Sequence, residues 1–285
     1  MNKYLASISF LLLTACGGSS VTEKKINVIF SLNDSIKNIQ ANSTMQLTKD
    51  CNSKVCFYEF STSSKSENKG AAVVDPNANP LSLSNIVSAA LITYKTDLVE
   101  NASLRVAPAP SDSEHSEFMQ YFNDTLVKLR LSGWHRYILP NEARVPGSEA
   151  SKFNLFDEVL GVPVGTGPWK DPSLKLSQAQ WLAMPTINTW YFHKGGSYLL
   201  FRVQRENTSQ APQERGSYLF SFNFQSEAEF YKNFVPNENQ DDWVKLLPPE
   251  LKRMAQERAQ TEARLKKMGI AIDEDYQDPP IKALE

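Results

Sequence analysis

Two cysteines with four residues between them are the first side chains in the sequence that could act together chemically. Cys51 and Cys56 flank Asn52-Ser53-Lys54, which are turn-forming residue types, and residues 55–60 have the composition of a strand. Two thiols at this spacing can close a disulfide across a tight hairpin, or they can supply half of a metal site. All three histidines lie more than about fifty residues away in the sequence, which favours the disulfide.

The histidines and acids do not form a recognisable catalytic pattern. His115, His135 and His193 are scattered, and no H-x-x-x-H pair is present for a metal. The acidic neighbours Asp157-Glu158 and Asp241-Asp242 would point apart on a strand or helix, so neither is a ready glycosidase pair. The motifs G-x-S-x-G and G-K-[ST] are also missing. We therefore expect a non-enzymatic protein without cofactor or metal, although distant acids could still meet in a hydrolase site.

The first residues have the pattern of an export signal. Lys3 is a positive start, residues 5–13 are apolar, and this stretch is too short to span a bilayer. Residues 13–16, Leu-Thr-Ala-Cys, resemble the lipobox of bacterial lipoproteins. The resemblance implies a lipoprotein signal peptide (1–15), lipidation of Cys16 and a flexible tether (16–24).

The lipobox resemblance also implies a location. Gly17 stands where an aspartate often signals retention in the inner membrane, so an outer-membrane anchor with the chain facing the periplasm is expected. Export to an oxidising compartment strengthens the prediction of a Cys51–Cys56 disulfide. The formal net charge of −2 does not indicate the excess of basic residues that is typical of nucleic-acid-binding proteins. The expected partners are therefore the membrane, through Cys16, and another protein.

The segment 25–108 is predicted to form a β-rich lobe. Residues 62–80, rich in Ser, Asn, Lys and Pro, are predicted to be a loop, and residues 82–100 fit either a helix or a strand. Apolar alternation and β-forming residues predict strands at 25–33, 43–49, 55–61 and 103–107.

The segment 109–247 is predicted to form an α+β lobe. Ser111 followed by Glu114 is a capping-box pattern and Gly133 is a natural stop, so a helix is expected over 112–131, with His115 exposed in its first turn. A strand at 134–139 and a loop-rich stretch at 140–185 follow.

Gly195-Gly196 is the strongest local signal, because it is a two-residue hairpin turn between two strand runs. A third strand is expected at 216–224, and a short helix capped by Ser226 at 226–234. Counting back from the hairpin turn predicts the cross-strand pairs Phe192–Leu199, Trp190–Phe201, His193–Tyr198 and Tyr191–Leu200.

The segment 248–285 is predicted to be a charged C-terminal helix with an acidic tail. Pro248-Pro249 opens the helix, Gly269 ends it, and Arg258 and Glu262 interrupt its apolar stripe, so a surface position and a mobile tail are expected. The whole chain is expected to be α+β, mainly antiparallel sheet with a few packed helices.

The segment 161–181 is predicted to contact a protein partner. It has no periodicity, and it places Trp169, Lys170 and Trp181 outside any regular strand. The expected lipid anchor, the missing catalytic pattern and the aromatic residues in a loop favour an immunity protein that neutralises a secreted antibacterial toxin effector. An accessory or scaffold lipoprotein of an envelope assembly or secretion machine, and an exported hydrolase, are the alternatives.

Overall fold

The computed structural model describes residues 26–285. The predicted signal peptide, Cys16 and the predicted tether lie outside the described residues. No helix within residues 26–285 is long and apolar enough to cross a bilayer. The strands described are β1 (Asn27–Phe30), β2 (Thr48–Asn52), β3 (Val55–Ser61), β4 (Gly70–Val74), β5 (Leu81–Tyr94), β6 (Val99–Val106), β7 (Ser113–Glu114), β8 (His135–Arg136), β9 (Glu158–Val159), β10 (Val162–Pro163), β11 (Ile187–Lys194), β12 (Ser197–Asn207) and β13 (Arg215–Ser226). The α-helices described are α1 (Ile36–Asn42), α2 (His115–Leu131), α3 (Gln178–Ala183), α4 (Glu227–Tyr231) and α5 (Trp243–Lys267).

Most of these strands form one mainly antiparallel sheet. Its order is β1-β4-β5-β6-β13-β12-β11-β8, with the β2–β3 hairpin attached to β5 and with β7 on β13. In the described part of the chain only β1 and β4 pair in parallel. The α+β class with a charged C-terminal helix confirms the predicted fold class. The sheet also runs through the boundary predicted at residue 108, because β6 pairs with β13.

Two local predictions are confirmed in atomic detail. All four cross-strand pairs expected around the Gly195-Gly196 turn are present between β11 and β12. Both glycines have positive φ, 54° and 88°, a backbone region that residues with a Cβ rarely adopt. Cys51 and Cys56 lie opposite one another on β2 and β3 and form the expected disulfide.

Several element boundaries differ from the sequence predictions. The loop expected at 62–80 contains β4, which pairs in parallel with β1 and forms a hairpin with β5, where Val74 lies opposite Leu81. Residues 82–100 are strand over most of their length, in β5, whereas the strand expected at 134–139 is only β8. Helix α5 begins at Trp243, before the two prolines, because Trp243 and Leu247 are buried and hold its first turns.

The two faces of the sheet carry separate hydrophobic clusters. Helix α2 covers one face, where Phe118 stacks on Tyr218 with ring centroids 4.3 Å apart. Helix α4 and the start of α5 cover the other face, where Phe230 stacks on Tyr198 at 4.0 Å. Helix α2 therefore presents one side to the core and leaves its opposite side free for other contacts.

The C-terminal helix lies at the surface as expected, with most of its residues exposed, and buried contacts attach both the helix and the tail to the protein body. Glu262 is 6% exposed and accepts from Arg144 Nε and Nη2, both at 2.8 Å. Arg258 is also buried and forms an ion pair with Asp278 in the tail, 2.7 Å from Nη1 to Oδ2. The charges that interrupt the apolar stripe are thus the residues that fix α5 in place.

Candidate functional site

The three side chains predicted to contact a partner are buried. Trp169 is 7% exposed, and Lys170 and Trp181 are 6% and 4% exposed. Burial lowers the pKa of Lys170 to about 8, and its ammonium lies 5.2 Å from the ring centroid of Trp190. The expectation that the three form an exposed surface is therefore wrong, because an aperiodic segment can fold inward as well as outward. A partner could reach these buried side chains only by displacing the surrounding chain.

His115, expected to be exposed, is fully buried at the start of α2. Its Nδ1 lies 2.8 Å from the Tyr218 hydroxyl and its Nε2 lies 3.1 Å from the Pro212 carbonyl oxygen. The carbonyl can only accept, so Nε2 carries the proton and Nδ1 accepts from Tyr218. Trp181 Nε1 in turn donates to the Tyr218 hydroxyl at 2.9 Å. Every polar atom of this chain of contacts is used within the core, which indicates a structural role.

The remaining histidines and acids do not converge on a site. The rings of His135 and His193 are 5.8 Å apart on neighbouring strands. Across residues 26–285 no group of three or more His, Cys, Asp and Glu side chains is placed to hold a metal ion. Asp241 forms an exposed ion pair with Lys95 at 3.4 Å. An open cavity is present at another place, beside α2.

An open groove of about 680 Å³ lies between α2, the chain that follows it, and loop 172–176. Helix α2 contributes Asn123, Leu126, Val127 and Arg130, which follow the i, i+3, i+4, i+7 spacing of one helix face. This face lies beside the core face that carries Phe118, and Leu126 also packs against the core cluster. We refer to the cavity as the α2 groove.

The end of α2 sets the position of the second wall. Gly133, with φ 80°, donates to the Arg130 carbonyl at 3.0 Å, and Trp134 N donates to the Leu129 carbonyl at 3.0 Å. These two bonds are those of a Schellman cap, which reverses the chain direction at the glycine. As a result of this reversal, Trp134, His135 and Arg136, which follow the cap, line the groove. The stop predicted at Gly133 is therefore confirmed, and it has a second role in shaping this site.

The third wall, loop 172–176, is attached to Arg136 through Asp171. Asp171 Oδ2 accepts from Arg136 Nη1 at 2.9 Å, and its Oδ1 accepts from Ser173 N at 2.8 Å. Burial tends to raise the pKa of Asp171, but the Arg136 guanidinium and hydrogen bonds from Ser173 and Gly147 outweigh it and leave the pKa below its ordinary value. The carboxylate is thus held ionised, and it fixes the loop against β8.

The ionisable groups that line the groove are all basic or histidine. They are Arg130, His135, Arg136 and Lys175, and no acidic residue is among the lining residues. The Arg136 guanidinium forms an ion pair with Asp171, but the side chains of Arg130 and Lys175 form no hydrogen bond or ion pair with any residue that the structure describes. Val127, which is 43% exposed, adds apolar surface to the groove. The groove therefore combines apolar walls with unneutralised positive charge.

Two buried donors beside the groove lack acceptors. Trp134 is 3% exposed, and its Nε1–H has no hydrogen-bond partner among the described residues. The same holds for Nε–H of Arg136, whose side chain is 12% exposed. A buried donor without an acceptor costs about 1 to 3 kcal/mol. A ligand that supplies acceptors here would recover part of that cost.

Sequence reasoning missed the α2 groove. The signal available was the apolar pair Val127 and Leu131 on the outer side of a helix whose inner side was already assigned to the core. Comparison of the chain with protein-family models, with curated proteins and with solved structures finds no match. The chemistry of the groove itself, an apolar cleft with free cations and donors, is that of a recognition surface.

Proposed function

We propose that this protein is a non-enzymatic, periplasm-facing lipoprotein of the outer membrane that binds a protein partner through the α2 groove. The partner we propose is a secreted antibacterial toxin effector, which the protein neutralises as an immunity protein. The observation that carries the proposal is the α2 groove, in which exposed Val127 lies beside Arg130 and Lys175, two cations with no partner among the described residues. Apolar side chains next to unpaired charge are typical of interface centres and rims.

A competition assay tests the proposal. A deletion strain is grown in contact with its parent, which carries the toxin, and survival is counted after co-culture. If the protein confers immunity, the deletion strain is killed by its parent and a plasmid copy of the gene restores survival. If the deletion strain survives contact but shows envelope defects when grown alone, an accessory role in an envelope machine replaces the proposal.

Matched variants connect the phenotype to the groove. Val127→Asp places a carboxylate in the apolar wall and should abolish protection while the protein is still produced. Val244→Asp is the control, because Val244 is a helical valine of similar exposure, 41% against 43%, and does not line the groove. Equal protection by both variants would place the partner surface elsewhere.

The anchor is tested separately with Cys16→Ser. The variant cannot be lipidated at this position, so it should move from the membrane pellet to the soluble fraction. The wild-type chain should stay in the pellet after a high-salt wash, which removes proteins held only by charge. A variant that still pellets after that wash would show that another anchor exists.

A further inference from the structure

We infer that the occupant of the α2 groove is an acidic segment of the partner protein, in which carboxylates flank a large apolar side chain. The inference rests on the proposed function, since it specifies the chemistry of the surface that the groove binds. It follows from three properties of the groove, which are its charge, its unpaired donors and its apolar walls.

The charge of the groove selects an anion. Arg130 on the helix wall and Lys175 on the loop wall both line the groove, and the side chain of neither is neutralised by a described residue. A cation in the last turn of α2 is also favoured by the helix dipole, so Arg130 alone would not indicate a ligand. Lys175 has no such explanation, because it lies on the loop. Two unpaired cations on opposite walls, with no acid between them, complement an acidic segment.

The unpaired donors indicate where a carboxylate is held. Trp134 and Arg136 are alternate residues of one extended stretch, and each has one buried N–H without an acceptor, Nε1–H of Trp134 and Nε–H of Arg136. Both residues line the groove. A carboxylate has two acceptor oxygens and can accept from two donors at once. A ligand with only donors, or an uncharged apolar ligand, would leave both N–H groups unpaired.

The apolar walls indicate what lies between the carboxylates. Leu126 and Val127 from α2 and Leu174 and Leu176 from the loop contribute aliphatic surface on both sides of the cleft. A large apolar side chain that enters between these walls is removed from water, and this burial supplies affinity that charge alone does not. An extended protein segment fits such an open site better than a small enclosed ligand does.

The test uses defined peptides and the indole N–H signals of the purified full chain. The probe is a blocked ten-residue peptide of alternating Glu and Leu; its controls carry Gln or Lys in place of Glu. The Trp134 signal is assigned with Trp134→Phe. We expect the Glu peptide to shift the Trp134 signal, to bind more weakly as salt is raised, and to bind at least about tenfold more tightly than the Gln peptide.

A charge variant and a matched control decide the role of the two cations. Arg130→Gln combined with Lys175→Gln should weaken the Glu peptide by about tenfold or more. Lys245→Gln combined with Lys252→Gln removes two exposed cations of α5 outside the groove and should change nothing. Equal weakening by both double variants would mean that overall charge, and not the groove, attracts the peptide, and would overturn the inference.

The remaining outcomes separate this inference from the proposed function. If Val127→Asp abolishes protection in co-culture but the Glu peptide does not shift Trp134, docking in the groove stands and its acidic chemistry is wrong. If the peptide binds as expected but the deletion strain is not killed, the groove chemistry stands and the immunity function is wrong. If phosphatidylglycerol vesicles shift Trp134 and the peptide does not, the groove binds lipid headgroups and the inference is overturned.

Discussion

Trp169 shows how a tryptophan outside the strands and α-helices can belong to the core. Its ring lies 4.6 Å from that of Phe156, and its Nε1–H donates to the Phe153 carbonyl at 3.3 Å. Trp169→Ala should therefore lower the free energy of unfolding by about 3 kcal/mol, through a cavity and a lost hydrogen bond. Urea unfolding followed by circular dichroism measures this change. Ile187→Ala, at a side chain that is 54% exposed, should change stability by less than about 0.5 kcal/mol.

His193 should make the protein sensitive to acid. Burial and the charge of His135 lower its pKa from 6.5 to about 4, and Asp278 opposes them only in part. Since the unfolded chain binds this proton at a higher pH than the folded chain, the stability that His193 contributes is complete above about pH 6.5 and is lost as the pH falls to 4. The loss is about 2 kcal/mol after allowance for partial exposure of the ring.

The comparison of wild type with His193→Gln isolates this effect. Burial also lowers the pKa of His115, which contributes acid sensitivity of the same sign to both proteins. The urea midpoint of the wild-type chain should therefore fall further between pH 7.5 and pH 4.5 than that of the variant. Equal falls would exclude His193 as a source of the pH dependence.

At the scale of elements, local signals were enough for some parts of the fold and not for others. The β11–β12 register follows from the Gly195-Gly196 turn alone, and the end of α2 follows from Gly133, because each depends on neighbours within a few residues. Strand β4 was missed because residues 62–80 as a whole are polar, although its own short apolar run ends in two β-branched valines, which favour a strand.

The α2 groove could not be predicted for a different reason. Its helix wall is visible as an i, i+3, i+4, i+7 pattern, but its other walls come from Trp134 to Arg136 and from loop 172–176. The loop is brought there by the Arg136–Asp171 ion pair, a contact between residues 35 positions apart. Such a pairing is not encoded in the spacing or periodicity of either segment.

Helix α5 is held by buried charge, and this leads to a prediction at the same scale. Glu262→Ala would leave Arg144, which is 22% exposed, without its carboxylate partner, and should destabilise the protein by about 3 kcal/mol. Glu257→Ala is the control on the same helix, because its ion pair with Arg253 is exposed and is worth less than about 1 kcal/mol. Denaturant unfolding of both variants gives the comparison, and similar losses would contradict a special role for the buried pair.

At the scale of the whole molecule, one hydrophobic core includes side chains from both of the lobes predicted from the sequence. A single cluster contains side chains from both sides of residue 108, and the rings of Phe30 and Phe224 are 5.8 Å apart across it. The sheet is continuous in the same region through the β6–β13 pairing. Shared backbone and side-chain contacts of this kind make the two segments stabilise one another.

This sharing can be tested because all five tryptophans lie at residue 134 or later. Leu91 in β5 is fully buried in the first segment, and Leu91→Ala should cost about 3 kcal/mol. If both segments unfold in one cooperative step, the tryptophan fluorescence midpoint in urea falls by the same amount as the circular dichroism midpoint, although no tryptophan is in the mutated segment. If the lobes are independent, the fluorescence midpoint stays at the wild-type value while an earlier transition separates in circular dichroism. The continuous sheet leads us to expect a single shifted transition.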